Sequence, residues 1–132
     1  MIDPATFLRD QHRGALATFR RDGRPQLSLV TVAVDADERV IISTRERSAK
    51  VKNLRRDPRA SVIVFTEGFY GDWVQLDGTA EIVSLPDAME LLVDYYRRAA
   101  GEHPDWDEYR QAMRDEGRCV IRFAIEHAGP AV

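Results

Sequence analysis

The chain falls into short alternating runs of apolar and polar residues separated by turn signals. Gly14 to Arg20 (GALATFR) alternates at period two, as a strand with one buried face does. Asp22-Gly23 tolerates the positive φ of a tight turn, and Pro25 to Asp35 (PQLSLVTVAVD) then reads as a second strand, so the two predict a hairpin. After the polar turn at Asp35 to Glu38, Arg39 to Thr44 (RVIIST) completes a three-stranded meander. Ser48 then signals a helix cap, Val51 and Leu54 share a face, and Asp57-Pro58 stops the helix, because a residue before proline avoids the α region.

Strand pattern returns over Arg59 to Glu67, Gly68 to Gly71 turns, and Asp72 to Ser84 (DWVQLDGTAEIVS) reads as one long strand whose glycine marks a bend or bulge. Two helices follow. The first opens at Pro86-Asp87, carries Leu91, Leu92, Tyr95, Tyr96 and Ala99 at helical spacing and ends at Gly101. The second starts near Asp105, with Trp106, Tyr109 and Met113 on one face, and ends at Glu116-Gly117. Both aromatic stripes read as core. Arg118 to Glu126 is a last strand, the AGPAV tail has too little apolar surface to fold alone, and Asp3-Pro4 opens a short helix to Arg9. Six strands that do not alternate strictly with helices predict a mainly β fold, a small six-stranded antiparallel barrel with helical additions.

At 132 residues, 44% hydrophobic and 31% charged, the whole chain, 1–132, is expected to form a single domain. No apolar run approaches the roughly 20 residues a bilayer requires, and MIDPATFLRD lacks the apolar stretch of a signal peptide, so a cytoplasmic protein is expected. The lone Cys119 sits in an apolar strand and reads as a buried structural thiol. His12, His103 and His127 are far apart and near no metal-ligand motif, so no metal site is expected. No nucleophile elbow, P-loop or dinucleotide fingerprint is present, so catalytic side chains are not indicated and any chemistry belongs to a bound cofactor.

Charge then changes the picture. Net charge is −3, yet Arg45 to Ser61 (RERSAKVKNLRRDPRAS) holds seven basic residues against Glu46 and Asp57. An isolated cationic island in an acidic chain suits a small, localised anion better than a nucleic acid. At its helix start, Arg47, Ser48, Lys50 and the free N–H groups converge as a phosphate site would, with Asn53 one turn on. Spacing alone leaves this reading and that of a solvated basic helix both open, and Arg55, Arg56 and Arg59 read as surface or interface charge. Along the second strand, Gln26 and Ser28 share one face, which suits either an ordinary solvent-facing strand end or a polar edge for a flat heterocycle.

Four strings, GRPQLS, AKVKNLRRDPRASV, LDGTAEI and AGEHPDWDEYRQAM, occur in that order over nearly the whole chain. Together they resemble the split β-barrel family related to pyridoxamine 5′-phosphate oxidase, and within it the actinobacterial branch that uses the deazaflavin coenzyme F420. The resemblance implies a six-stranded antiparallel split barrel of the FMN-binding type, a homodimer, and cofactor sites in the groove between subunits. It implies that Lys50, the loop before it and Ser43 hold the cofactor phosphate, that Gln26 and Ser28 lie beside the ring, and that Asn53 matches the asparagine after the lysine. One departure stands out: where close relatives carry P-R-A-K, this chain has R-S-A-K, which moves the arginine to Arg47 and puts Ser48 in its place. The implied activity is hydride transfer from reduced F420 to an electron-poor small molecule such as a quinone, enone or tetrapyrrole. The alternatives are an FMN-dependent oxidoreductase of the same family, or a cofactor carrier with little turnover.

Overall fold

The computed structural model describes residues 2–130. Asp3 caps α1 (Pro4–Asp10) by accepting from the Thr6 amide at 2.9 Å, and Pro4 occupies a first-turn position whose N–H has no helical partner to lose. Then come β1 (Arg13–Phe19), β2 (Pro25–Val34), β3 (Val40–Arg45), α2 (Ala49–Arg56) and β4 (Arg59–Phe65). The chain continues as β5 (Trp73–Thr79), β6 (Glu81–Val83), α3 (Met89–Ala100), α4 (Trp106–Glu116), β7 (Arg118–Phe123) and β8 (His127–Gly129). The strands lie in the order β6-β7-β3-β2-β1-β4-β5-β8, every pair antiparallel, curled into a half-barrel.

β2 splits its partners: residues from Pro25 to Thr31 pair with β1, while Val32 to Val34 pair with β3. Inward side chains from this curl, among them Leu16, Val32, Ile42, Val62, Leu76 and Phe123, form one buried core together with Leu8 of α1 and Leu54 of α2. Each fully buried Leu, Ile or Phe contributes roughly 1.5–3 kcal/mol. A second core lies on the other face of β2, β3 and β7, where Ala33, Ile41 and Val120 meet Leu92 and Tyr95 of α3 and Tyr109 and Met113 of α4. Alternation along β3 sends Val40 and Ile42 into one core and Ile41 into the other. A strand covered on both faces therefore reads as an unbroken apolar run.

Two expectations about strands are corrected, raising the count from six to eight among the described residues. The long run from Asp72 to Ser84 breaks at Ala80, whose amide still donates in register to Pro58 O at 2.8 Å, but proline has no N–H to return the bond and the β4–β5 ladder ends there. Its first part pairs with β4 and its second with β7, so one predicted strand serves both sides of the curl. Gly78 permits this crossing, since a Cβ there would sit 2.4 Å from both Ala124 O and Phe123 Cδ2. The tail does not fold by itself but borrows an edge: Gln75, Leu76 and Asp77 of β5 pair with Gly129, Ala128 and His127. α3 begins at Met89, after a turn in which the Ala88 amide donates to Ser84 O, rather than at Pro86. Cys119 is buried in β7 as expected. Among the described residues, no helix is long and apolar enough to cross a membrane.

Candidate functional site

α2 is fixed from below by Val51 and Leu54, both buried. Its N-cap, Ser48, has extended backbone but gives no side-chain cap; its Oγ instead accepts from Thr44 Oγ1 at 3.4 Å. No acidic residue occupies the first turn. The positive end of the helix dipole is therefore not offset by a local carboxylate. The loop leading in is pinned by Glu46, whose carboxylate accepts from Ser84 Oγ (2.8 and 3.0 Å) and from Arg55. Burial pushes the Glu46 carboxyl up, but hydrogen bonds from Arg55, Ser84 and the Cys119 thiol outweigh it and hold the group below the usual glutamate range. The same contact acts in reverse on Cys119, pushed up to about 12 by burial first and by Glu46 second.

Beside the helix start lies a cleft of about 440 Å³ lined by Ser43 of β3, Lys50 of α2, Leu29 of β2, Tyr95 and Tyr96 of α3, and Arg118 of β7, among others. Lys50 is half-buried, and burial first, then the like charge of Arg118, hold its ammonium below the ordinary lysine range. Glu116, the carboxylate in this lining, pairs with Arg118 (2.8 Å) and Arg45 (3.7 Å), while Lys50 joins no ion pair among the described residues. The site thus keeps one uncompensated cation beside an uncapped helix start. A small dianion would relieve both the Lys50–Arg118 repulsion and the free helix end. Two of the tyrosine hydroxyls are committed as donors, Tyr95 to Thr31 O (2.9 Å) and Tyr109 to Leu92 O (2.8 Å), and burial pushes the Tyr109 hydroxyl up to about 12.

The expected site residues do not converge on one point. Ser43 and Lys50 share the cleft, Ser48 starts the helix beside it, and Arg47 is exposed in the preceding loop, outside any ion pair among the described residues. Asn53, expected on the Lys50 side, turns instead toward β1. It is 7% exposed, its amide donates to Thr18 Oγ1 at 3.1 Å, and its carbonyl accepts from Arg56 at 3.0 Å. Helical rotation would allow either side, but the buried Thr18 hydroxyl supplies the partner that a buried amide requires. Gln26 lies opposite Thr18 and Ser28 opposite Leu16, on the face of β2 that continues into the core; Gln26 Oε1 accepts from Arg20 at 3.1 Å. Ser43 and Lys50 thus flank one side of α2, and Gln26 and Asn53 the other.

Sequence reading missed Tyr95, Tyr96, Tyr109 and Arg118 as cleft residues because helical spacing assigned the aromatics to the core. Tyr95 and Tyr109 belong to both. The available signal was chemical: a core position filled by tyrosine carries a hydroxyl that must find a partner.

A family model described as pyridoxamine 5′-phosphate oxidase matches residues 4–130. Among solved structures, a conserved hypothetical protein from Mycobacterium tuberculosis is 30% identical, with a TM-score of 0.77 over 94% of this chain and 79% of that one. An F420 reductase is 21% identical with a TM-score of 0.72 over 94% of each chain. A putative pyridoxamine 5′-phosphate oxidase from Listeria innocua is 15% identical with a TM-score of 0.68, covering 94% of this chain and 91% of that one. The latter two are similar in fold.

Proposed function

Because the chain belongs to the pyridoxamine 5′-phosphate oxidase family of split-barrel oxidoreductases, we propose that it is an F420-dependent reductase acting on an electron-poor small molecule such as a quinone, enone or tetrapyrrole. One observation carries the reading: Lys50, half-buried and without a carboxylate partner among the described residues, stands at an uncapped helix start in a tyrosine-walled cleft. When bound, the reduced deazaflavin supplies a hydride. The chain's residues have other tasks. Lys50, the Ser43 and Ser48 hydroxyls and the first N–H groups of α2 hold the phosphate, Arg47 reaches it from the loop, and Gln26, Ser28 and Asn53 remain the candidates for the ring side and for α2's support. Tyr95, Tyr96 and Tyr109 wall the acceptor's side of the cleft and exclude water.

The proposal includes a homodimer. Leu27 and Leu29 are 68% and 86% exposed on the outer face of β2, and Phe69 and Tyr70 project from the β4–β5 turn at 92% and 95%. Register places Ala15 of β1 between Leu29 and Ile63 of β4, so the apolar outer face is continuous across three strands. A second copy covers this face, and because Leu29 also lines the cleft, it completes the cofactor groove.

Titration with oxidised F420, followed by tryptophan quenching, tests the reading. Lys50→Ala is expected to weaken binding by at least tenfold with an unchanged thermal melt, and unchanged affinity would refute the site. FMN is the second reading, since a single phosphate suits the same cation and helix start; tight FMN binding without measurable F420 binding would replace the first. Saturable binding of reduced F420 that no quinone, enone or biliverdin reoxidises would instead indicate a carrier.

A further inference from the structure

The tyrosine wall of the cleft continues into an aromatic cluster behind it. Tyr96 of α3 and Tyr109 of α4 line the cleft, and both also pack against His103 and Trp106, which stand outside that lining. His103 lies in the turn that joins the two helices. Its half-buried ring is centred 5.1 Å from Tyr96, 5.5 Å from Tyr109 and 5.7 Å from Trp106, so one imidazole touches both tyrosines of the wall and the first residue of α4.

The same imidazole holds the turn closed. Gly101, at φ 86°, ends α3, and His103 Nδ1 then accepts from the Asp105 amide at 2.9 Å, the bond to the second residue on that an asparagine makes in an Asx turn. Asp105 is in turn the N-cap of α4, its carboxylate accepting from the Glu108 amide at 3.1 Å. Because an N–H faces Nδ1, that nitrogen carries no proton, and the proton of the neutral ring sits on Nε2. A second proton would set donor against donor and leave the amide without its acceptor. The surrounding charges do not bar that proton. Glu102 pairs with Arg97 at 3.0 Å and accepts from Trp106 Nε1 at 3.1 Å, and Arg97 lies over the Trp106 ring at 4.8 Å. Asp105, Asp107 and Glu108 add carboxylates at the start of α4. The rings that face His103 from the helices carry the Tyr96 and Tyr109 hydroxyls, the latter donated to Leu92 O at 2.8 Å.

We propose that His103 is a positioning residue whose protonation resets the tyrosine wall of the cleft. Neutral, it clamps the α3–α4 turn and keeps Tyr96 and Tyr109 in place. Protonated, it releases the Asp105 amide, and both tyrosines shift with the turn. Histidine is the side chain whose charge ordinarily changes between about pH 5 and 8, so the wall responds to mild acid. The shift of the wall needs no ligand, whereas its effect on cofactor affinity rests on the cleft being the cofactor site.

NMR titration of the intact chain from about pH 8 to pH 5 tests it. The Asp105 amide, the Trp106 indole N–H and the ring signals of Tyr96 and Tyr109 are expected to move with one midpoint, that of the His103 imidazole. His103→Asn, whose carbonyl accepts the same amide at every pH, is expected to show no such transition. His103→Phe, which keeps a ring and has no acceptor, is expected to lack it too, with the Asp105 amide exchanging about tenfold faster than in the asparagine variant. Oxidised F420 is expected to bind the wild type about threefold more weakly at about pH 5.5 than at about pH 7.5, and His103→Asn equally at both. Failure of F420 to bind at any pH would count against the cofactor assigned to the cleft, and the tyrosine signals would still decide the role of His103. An Asp105 amide or tyrosine rings that stay still while His103 titrates, or a transition that persists in His103→Asn, would overturn the proposal.

Discussion

Replacing Thr18 by valine keeps the shape of a buried side chain and removes one hydroxyl. That hydroxyl accepts the Asn53 amide at 3.1 Å, the buried polar link between β1 and α2. In the variant, the Asn53 amide, on a side chain that is only 7% exposed, has lost its partner. Leaving one buried donor unsatisfied costs about 1–3 kcal/mol, and the swap removes almost no volume to add a cavity term. For a chain of this length the entropy of unfolding makes each kcal/mol worth roughly 4 °C, so a loss of about 2 kcal/mol lowers Tm by about 8 °C. Urea melts with unchanged slope would confirm that the folded state, not the unfolded one, has changed. A double-mutant cycle with Asn53→Ala isolates the pair, and its coupling is expected to exceed about 1 kcal/mol. Because α2 carries Lys50, the same variant should also weaken anion binding in the cleft while leaving Lys50 in place. A Tm within about 2 °C of wild type, or additive single effects, would show that α2 does not depend on this link.

Leu29→Glu, at the most exposed leucine of the outer face, is expected to convert a dimer to a monomer with little change in the monomer's own stability. Sedimentation velocity checks this, and a dimer that persists would place the interface elsewhere. Glu46 sits below the usual glutamate range in the fold, since the hydrogen bonds from Arg55 and Ser84 outweigh the opposing effect of burial. The stability it supplies is therefore present above the unfolded carboxyl's range and is lost as pH falls through the lower folded value. Glu46→Gln should destabilise at neutral pH by about 1 kcal/mol. The gap to wild type should close on acidification, and a gap independent of pH would refute the assignment.

Much of the fold was legible along the chain. Period-two runs located β1 to β4 and β7 to within a few residues, and cap signals at Asp3, Ser48, Asp105, Gly101 and Gly117 located helix ends. These signals are local: alternation reflects one buried face, and a cap answers backbone groups within a few residues of itself. The break at Ala80 and the pairing of His127 to Gly129 with β5 were not legible, because each depends on a strand far away in sequence. The candidate site divides in the same way.

By itself, the sequence determined that a lysine and a serine stand at a helix start after the third strand, inside a cationic island. It also determined that Gln26 and Ser28 share a face of the second strand. Only the tertiary structure decided that Ser43 and Lys50 open onto a cleft walled by Tyr95, Tyr96 and Tyr109, while Asn53 and Gln26 lie on the opposite side of α2. Which way a helix turns its polar residues depends on the partners available beneath it. Here burial of Val51 and Leu54 sets that rotation, and the Thr18 hydroxyl, thirty-five residues earlier in the chain, supplies the partner that the Asn53 amide then requires.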